Sequence, residues 1–231
     1  MLIGKINSLN WYQAEFNPSV ELIDSFVLIM ETQAEDSIRR YKAEKKTTEV
    51  IEDDLGDDYG IHRQNIEVYA GLNNLTWSFE EVFEFYFPSL QRRSALLTVC
   101  GFFEHELDKL CVLFQGERKL TLGPNDLRGQ GLERSTDYLT KVIGLALDKK
   151  SLEWKAVTRV REIRNIIAHR DGRMKDAKGK IFPEYKDALE NLRYQTSEGD
   201  EIVLEKGFVS QAVVIFKAYF KLIEDSIQGK A

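Results

Sequence analysis

The stretch SLEWKAVTRVREIRNIIAHRDG, Ser151 to Gly172, decides how the chain reads. Ser151 is a helix N-cap residue, Leu152, Ala156, Val160, Ile163 and Ile167 recur at helical spacing, and Gly172 supplies a stop. The segment therefore reads as one amphipathic helix ending near His169, with its apolar face turned towards other helices. Its polar side gathers Arg161, Arg164, Asn165, His169, Arg170 and Arg173 at one helix end. From Arg159 to Lys180, eight Lys and Arg stand against Glu162, Asp171 and Asp176, a local excess of five positive charges.

Working outward, Ser89 to Gln115 gives another long helix, with the stripe Leu90, Leu97, Cys100, Glu104, Leu107, Cys111 and Phe114. Glu104 interrupts that apolar seam and calls for a cation, for which Arg164 on a packed neighbouring helix is the natural partner. Gly116 to Gly131 reads as a loop, and Leu132, Leu139, Val142, Ile143 and Leu147 mark a shorter helix. Beyond the cationic segment, Arg173 to Gly199 is polar and irregular. Leu192–Thr196 and Glu201–Glu205 suit a small hairpin, and Phe208, Ala212, Ile215, Phe216, Tyr219 and Ile223 define a last amphipathic helix.

Towards the N-terminus, Asn17-Pro18 opens a long helix on Val20, Ile23, Val27, Met30 and Ala34. The acidic run Glu49 to Asp58 is expected to be a solvated helix end and loop. Ile61 to Gly71 suits a strand or a short helix. Ser78 and Glu81 form a capping box opening a helix that Pro88 is expected to interrupt. The expected architecture is mainly α, a helical bundle over 88–231 with a small β-hairpin and an N-terminal helical extension over 1–87.

With 231 residues, 43% of them hydrophobic, the chain can bury a full core. No run approaches a membrane span, and Met1 to Asn10 lacks the apolar core of a signal peptide, so a cytoplasmic protein without membrane partners is expected. Cys100 and Cys111 lie three turns apart on one helix, cannot bridge each other, and are expected to be buried free thiols. With His62, His105 and His169 they show no zinc-site spacing, and there is no Gly-rich phosphate loop or nucleophile elbow; no metal or cofactor is implied. A net charge of −6 opposes bulk attraction to nucleic acid, which leaves the cationic segment as the place where a polyanion would bind.

Cations, an amide and a histidine suit a phosphodiester. Metal-free RNA cleavage needs a base for the 2′-hydroxyl, an acid for the leaving oxygen and cations for the crowded phosphorane. A histidine can fill the first two roles and Arg164 the third. At about 100° per residue, Asn165 and His169 share a face with Arg161, whereas Arg164 and His169 lie about 140° apart on an unbroken helix. Either the helix ends before His169 and lets the imidazole swing towards Arg164, or a second copy of the segment completes the site across a dimer axis; the dimer is favoured. The bland alternative has Arg164 and Asn165 bridging neighbouring helices and His169 binding the last carbonyls.

Arg164-Asn165-Ile166-Ile167-Ala168-His169 resembles the R-x4-6-H motif of the HEPN superfamily, including the polar residue that often follows the arginine. The helix Leu96 to Leu113, with Phe103-Glu104-His105-Glu106-Leu107, resembles that family's first core helix, and the helix after Glu205-Lys206-Gly207-Phe208 its closing one. The resemblance covers roughly Ser89 to Ile227. It implies a metal-independent endoribonuclease acting as a homodimer on RNA, of the kind found as toxins or in phage defence, and therefore an antitoxin or regulatory protein as partner. It also implies Arg164 as phosphate and transition-state stabiliser, His169 as general acid or base, and Asn165 as an orienting group. Arg161, Arg170 and Arg173 are then substrate-binding candidates, and Glu104 a residue fixing Arg164. The same resemblance admits a catalytically silent module that binds RNA or a protein.

Overall fold

The computed structural model describes residues 7–54, 61–175, 195–196 and 201–229, and among them apolar residues at helical spacing place five α-helices. They are α1 (Asn17–Glu44), α2 (Phe87–Arg118), α3 (Gly131–Lys141), α4 (Leu152–Arg170) and α5 (Phe208–Ile227). Helix α2 is central and packs against each of the other four. Its Leu96, Val99, Cys100, Phe103, Leu107, Leu110, Cys111 and Phe114 are all buried. Phe103 stacks on Phe216 of α5 with centroids 4.5 Å apart, and Phe16, just before α1, stacks on Phe220 at 4.4 Å. Such buried aromatics dominate the burial energy, and truncating one typically costs about 3–5 kcal/mol. None of the helices among the described residues is long and apolar enough to cross a membrane.

Pro88 does not interrupt its helix. A π-helical turn, Glu81–Tyr86, leads directly into α2, and Pro88 sits at the start of the regular α-helical part. The wider turn relieves the ring's clash with the preceding carbonyls, and no i→i−4 donor is demanded of the proline. Pro18 follows the π-helical turn Tyr12–Phe16 in the same way. The helical run thus crosses position 87/88 without a break. Trp11, Phe16, Val20, Ile23, Val27 and Met30 share the main core with α2, α4 and α5.

The acidic run is another correction. Lys46–Asp54 is a strand, β1, paired antiparallel with β2 (Ile61–Tyr69) from Lys46↔Val68 to Asp54↔Ile61, and β2 continues onto the short β3 (Leu72–Asn73). The β-branched residues Thr47, Thr48, Val50 and Ile51 favour extended backbone, and this outweighs the acidic composition. Residues 55–58 of that run lie outside the described residues. A satellite cluster of Tyr41, Phe79 and Phe83, with Tyr69 and Leu72 against it, fastens the sheet to the helices. The expected second hairpin is present as β4 (Gln195–Thr196) and β5 (Ile202–Val203), paired Gln195↔Val203 and Thr196↔Ile202; residues 192–194 lie outside the described residues.

Two helix boundaries also move. Helix α3 ends at Lys141 rather than near Leu147, because Gly144 turns the chain at φ +83°, although Ile143 and Leu147 remain buried. Helix α2 runs on to Arg118 and closes with Lys119 in the left-handed region.

Candidate active site at the end of α4

Helix α4 begins where the serine cap predicts: Ser151 Oγ accepts from the Trp154 amide at 3.1 Å. Its buried face differs from the sequence expectation. Leu152 is 79% exposed, whereas Trp154, Val157 and Ile166 join Val160, Ile163 and Ile167 in the core. Trp154 reaches Tyr219 of α5 at 5.3 Å between centroids, which turns the first helical turn and leaves Leu152 outside.

The helix continues regularly through Arg170, so His169 lies inside it. The arrangement in which the helix ends early and His169 swings towards Arg164 does not occur, and the angular separation of about 140° holds within the chain. Asp171 (φ +52°) and Gly172 (φ +77°) then reverse the chain, and the Gly172 amide donates back to the Ile166 carbonyl at 3.2 Å.

Arg164 is half-buried, and its Nη1 donates to Asn165 Oδ1 at 2.9 Å. Its Nη2 lies 4.0 Å from Glu104 Oε2, while its buried Nε has no acceptor. Glu104 is itself lodged against the start of α3: a Cβ on Gly131, which has φ +55°, would come within 2.9 Å of Glu104 Oε1. A carboxylate beside a helix N-terminus is favourably placed, so α3 and Arg164 hold Glu104 from two sides. One turn back, Arg161 Nη2 lies 3.9 Å from Glu133 Oε2. Both arginines therefore face carboxylates at the edge of ion-pair range.

His169 is solvent-exposed and makes no hydrogen bond or ion pair among the described residues. Arg170 is half-buried and Arg173 exposed, at the same helix end. The structure thus brings Arg164, Asn165 and Glu104 together, with Arg161 beside them, and sets His169, Arg170 and Arg173 apart. Asn165 stands between the groups: it accepts from Arg164 and lies four residues before His169, so its Cβ and that of His169 are neighbours about 6 Å apart.

Among the described residues no group of three His, Cys, Asp or Glu side chains is arranged to hold a metal ion. Cys100 and Cys111 are buried free thiols. Burial pushes both thiols up, that of Cys100 to about 12 with nearby Arg164 working the other way, so neither is placed as a nucleophile.

Sequence reading missed Arg92 and Arg93 of α2, although both fall among buried positions between Leu90 and Leu97. Arg92 forms a buried ion pair with Glu31 of α1 at 3.0 Å and donates to the Leu204 carbonyl at 3.3 Å. Arg93 reaches the turn after α4: Nη1 donates to the Asp171 carbonyl at 3.3 Å, and Nε to the Ile202 carbonyl at 3.0 Å. In sequence the two arginines sit in the polar run Gln91–Ser94, which reads as a solvated turn of the helix and does not mark them as buried.

No family model, curated protein or solved structure matches the chain.

Proposed function

We propose that the chain is a metal-independent endoribonuclease of HEPN type that works as a homodimer. The observation that carries the reading is the contrast within one helix. The imidazole of His169 is exposed and without a partner among the described residues, and one face away the Arg164 guanidinium is held by Asn165 and faced by Glu104. In the reaction His169 takes the proton of the 2′-hydroxyl or gives one to the leaving 5′-oxygen. The 2′-oxygen attacks phosphorus, the P–O5′ bond breaks, and a 2′,3′-cyclic phosphate remains. Arg164 meets the charge that develops on the phosphorane, and Asn165 orients it. Because Arg164 and His169 diverge within a protomer, the histidine of one copy serves the arginine of the other. Arg161, Arg170 and Arg173 supply backbone phosphate contacts. Such an enzyme fits a toxin-antitoxin or phage-defence role in the cytoplasm, restrained by an antitoxin or regulatory protein.

The same divergence favours a second reading, a dimeric module that binds RNA or protein without cleaving it, with Arg164 and Glu104 as a packing pair between helices. The deciding experiment incubates the parent protein, Arg164→Ala and His169→Ala with total and transfer RNA in EDTA and identifies the product ends. Cleavage by the parent with cyclic phosphate ends, lost in both variants and restored on mixing them, establishes the ribonuclease and its shared site. A parent that binds RNA without cutting it leaves the second reading.

A further inference from the structure

The end of α4 that carries His169 is held by one buried side chain from another helix. Arg93 is 4% exposed, and its guanidinium meets two elements at once. Nε and Nη2 both donate to the carbonyl of Ile202 in β5, the former at 3.0 Å. Nη1 donates to the carbonyl of Asp171 at 3.3 Å and lies 3.8 Å from its carboxylate, and Nη2 lies 3.4 Å from Glu201. The ring is closed by the backbone, since the Ile202 amide donates to the Gly172 carbonyl at 2.9 Å. Gly172 packs on the guanidinium so closely that a Cβ there would fall 2.9 Å from Arg93 Cζ. A cation at a helix C-terminus meets carbonyls that have no partner in the helix and favours the negative end of the helix dipole.

We infer that Arg93 is the positioning residue of the candidate site: through Asp171 and Gly172 it fixes the last turn of α4, and so the place of the His169 imidazole. Asp171 is only two residues beyond His169, so a shift of the turn is passed to the imidazole with no intervening loop to absorb it. Three donors in one rigid plane span the Ile202 and Asp171 carbonyls, a reach that the point charge of a lysine lacks. Arg92, its neighbour, donates to the Leu204 carbonyl while gripping Glu31, so the consecutive arginines fasten the segment 202–204 from one side. The consequence for cleavage rests on the ribonuclease reading; the effect on the imidazole does not.

The test compares the full-length parent with Arg93→Lys, which keeps the buried charge and loses the planar fork. Imidazole signals are followed by two-dimensional nitrogen–proton NMR through a pH titration, with His169→Ala to assign His169. His105, exposed on α2, serves as the internal reference. Expected is a folded variant in which the His169 signals move or broaden while those of His105 stay. Cleavage in EDTA should lose about tenfold to a hundredfold in kcat with KM little changed, as misplacing a reacting group by about 1 Å does. His169 signals that superimpose on the parent's overturn the inference, as does a moved His169 with undiminished kcat. If the parent does not cleave RNA, the ribonuclease reading fails and the His169 signals alone decide the positioning role. If Arg93→Lys does not fold, Arg93→Gln carries the test, since its shorter planar amide cannot span the Asp171 and Ile202 carbonyls together: displaced His169 signals uphold the role and unmoved ones end it.

Discussion

Arg93 and Arg164 lie on packed helices of the same bundle and approach the same cationic segment, yet they are bound in opposite ways. Arg93 is buried and its donors are directed at the carbonyls of Ile202 and Asp171, with Glu201 beside them. Arg164 is half-buried; it has one hydrogen bond to its own neighbour Asn165, a carboxylate at 4.0 Å, and an Nε without an acceptor. A guanidinium whose donors are filled by backbone serves the fold, because removing it strands buried carbonyls. One whose donors are incompletely used can take a phosphate without first breaking strong bonds. The difference gives Arg93 of α2 a holding role and leaves Arg164 of α4 with donors to spare for the phosphate contact of the proposed function.

The comparison breaks most readily at Arg93. Arg93→Ala leaves the Asp171 and Ile202 carbonyls without their buried donor, and chemical denaturation should show a loss of about 3–5 kcal/mol. A loss below about 1 kcal/mol would place Arg93 with the surface arginines. Gly172→Ala probes the same contact from the other side. It forces a side chain into the left-handed region at φ +77° and against the guanidinium, and should cost about 1–3 kcal/mol. The cost should shrink in an Arg93→Ala background, since the obstructing group is gone; strictly additive losses in the double-mutant cycle would disconnect the two residues.

The fold was more legible than the contacts that organise the site. Helical periodicity, the Ser151 cap and the Gly172 stop marked α4 because each is a local signal. The strand at Lys46–Asp54 is hidden because Glu49, Glu52, Asp53 and Asp54 mask its β-branched residues, while strand formation there depends on a partner, Ile61–Tyr69, later in the chain. Glu104 announced itself as a charge on an apolar stripe, and its partner proved to be Arg164, though at 4.0 Å rather than in a tight pair. Arg93 did not, because its acceptors are main-chain carbonyls, which have no signature in sequence. Periodicity alone puts Leu152 in the core, whereas the fit of Trp154 against Tyr219 decides how the first turn sits.

Cys100 sharpens the comparison through pH. Its thiol is held up at about 12 by burial, against an ordinary value of 9.0 in the unfolded chain. The folded state therefore keeps the proton after the unfolded chain has released it. This contribution to stability is whole below about pH 9 and is lost progressively as pH rises towards 12. Denaturation midpoints at pH 8 and above should fall less steeply in Cys100→Ala than in the parent, and Cys100 should resist alkylation at neutral pH until the chain unfolds.

Arg164→Ala should be milder than Arg93→Ala, at no more than about 1 kcal/mol, because its ion pair is loose and part-exposed. The smallest effect is expected at His169. The side chain is exposed and makes no hydrogen bond or ion pair among the described residues, so His169→Ala should change unfolding free energy by less than about 0.5 kcal/mol. Alanine's better helix propensity should offset what little the imidazole contributes at the negative end of α4. Chemical denaturation of the parent and the variant checks this: a loss above about 1 kcal/mol would tie the imidazole to the fold, and a negligible one leaves it free for chemistry.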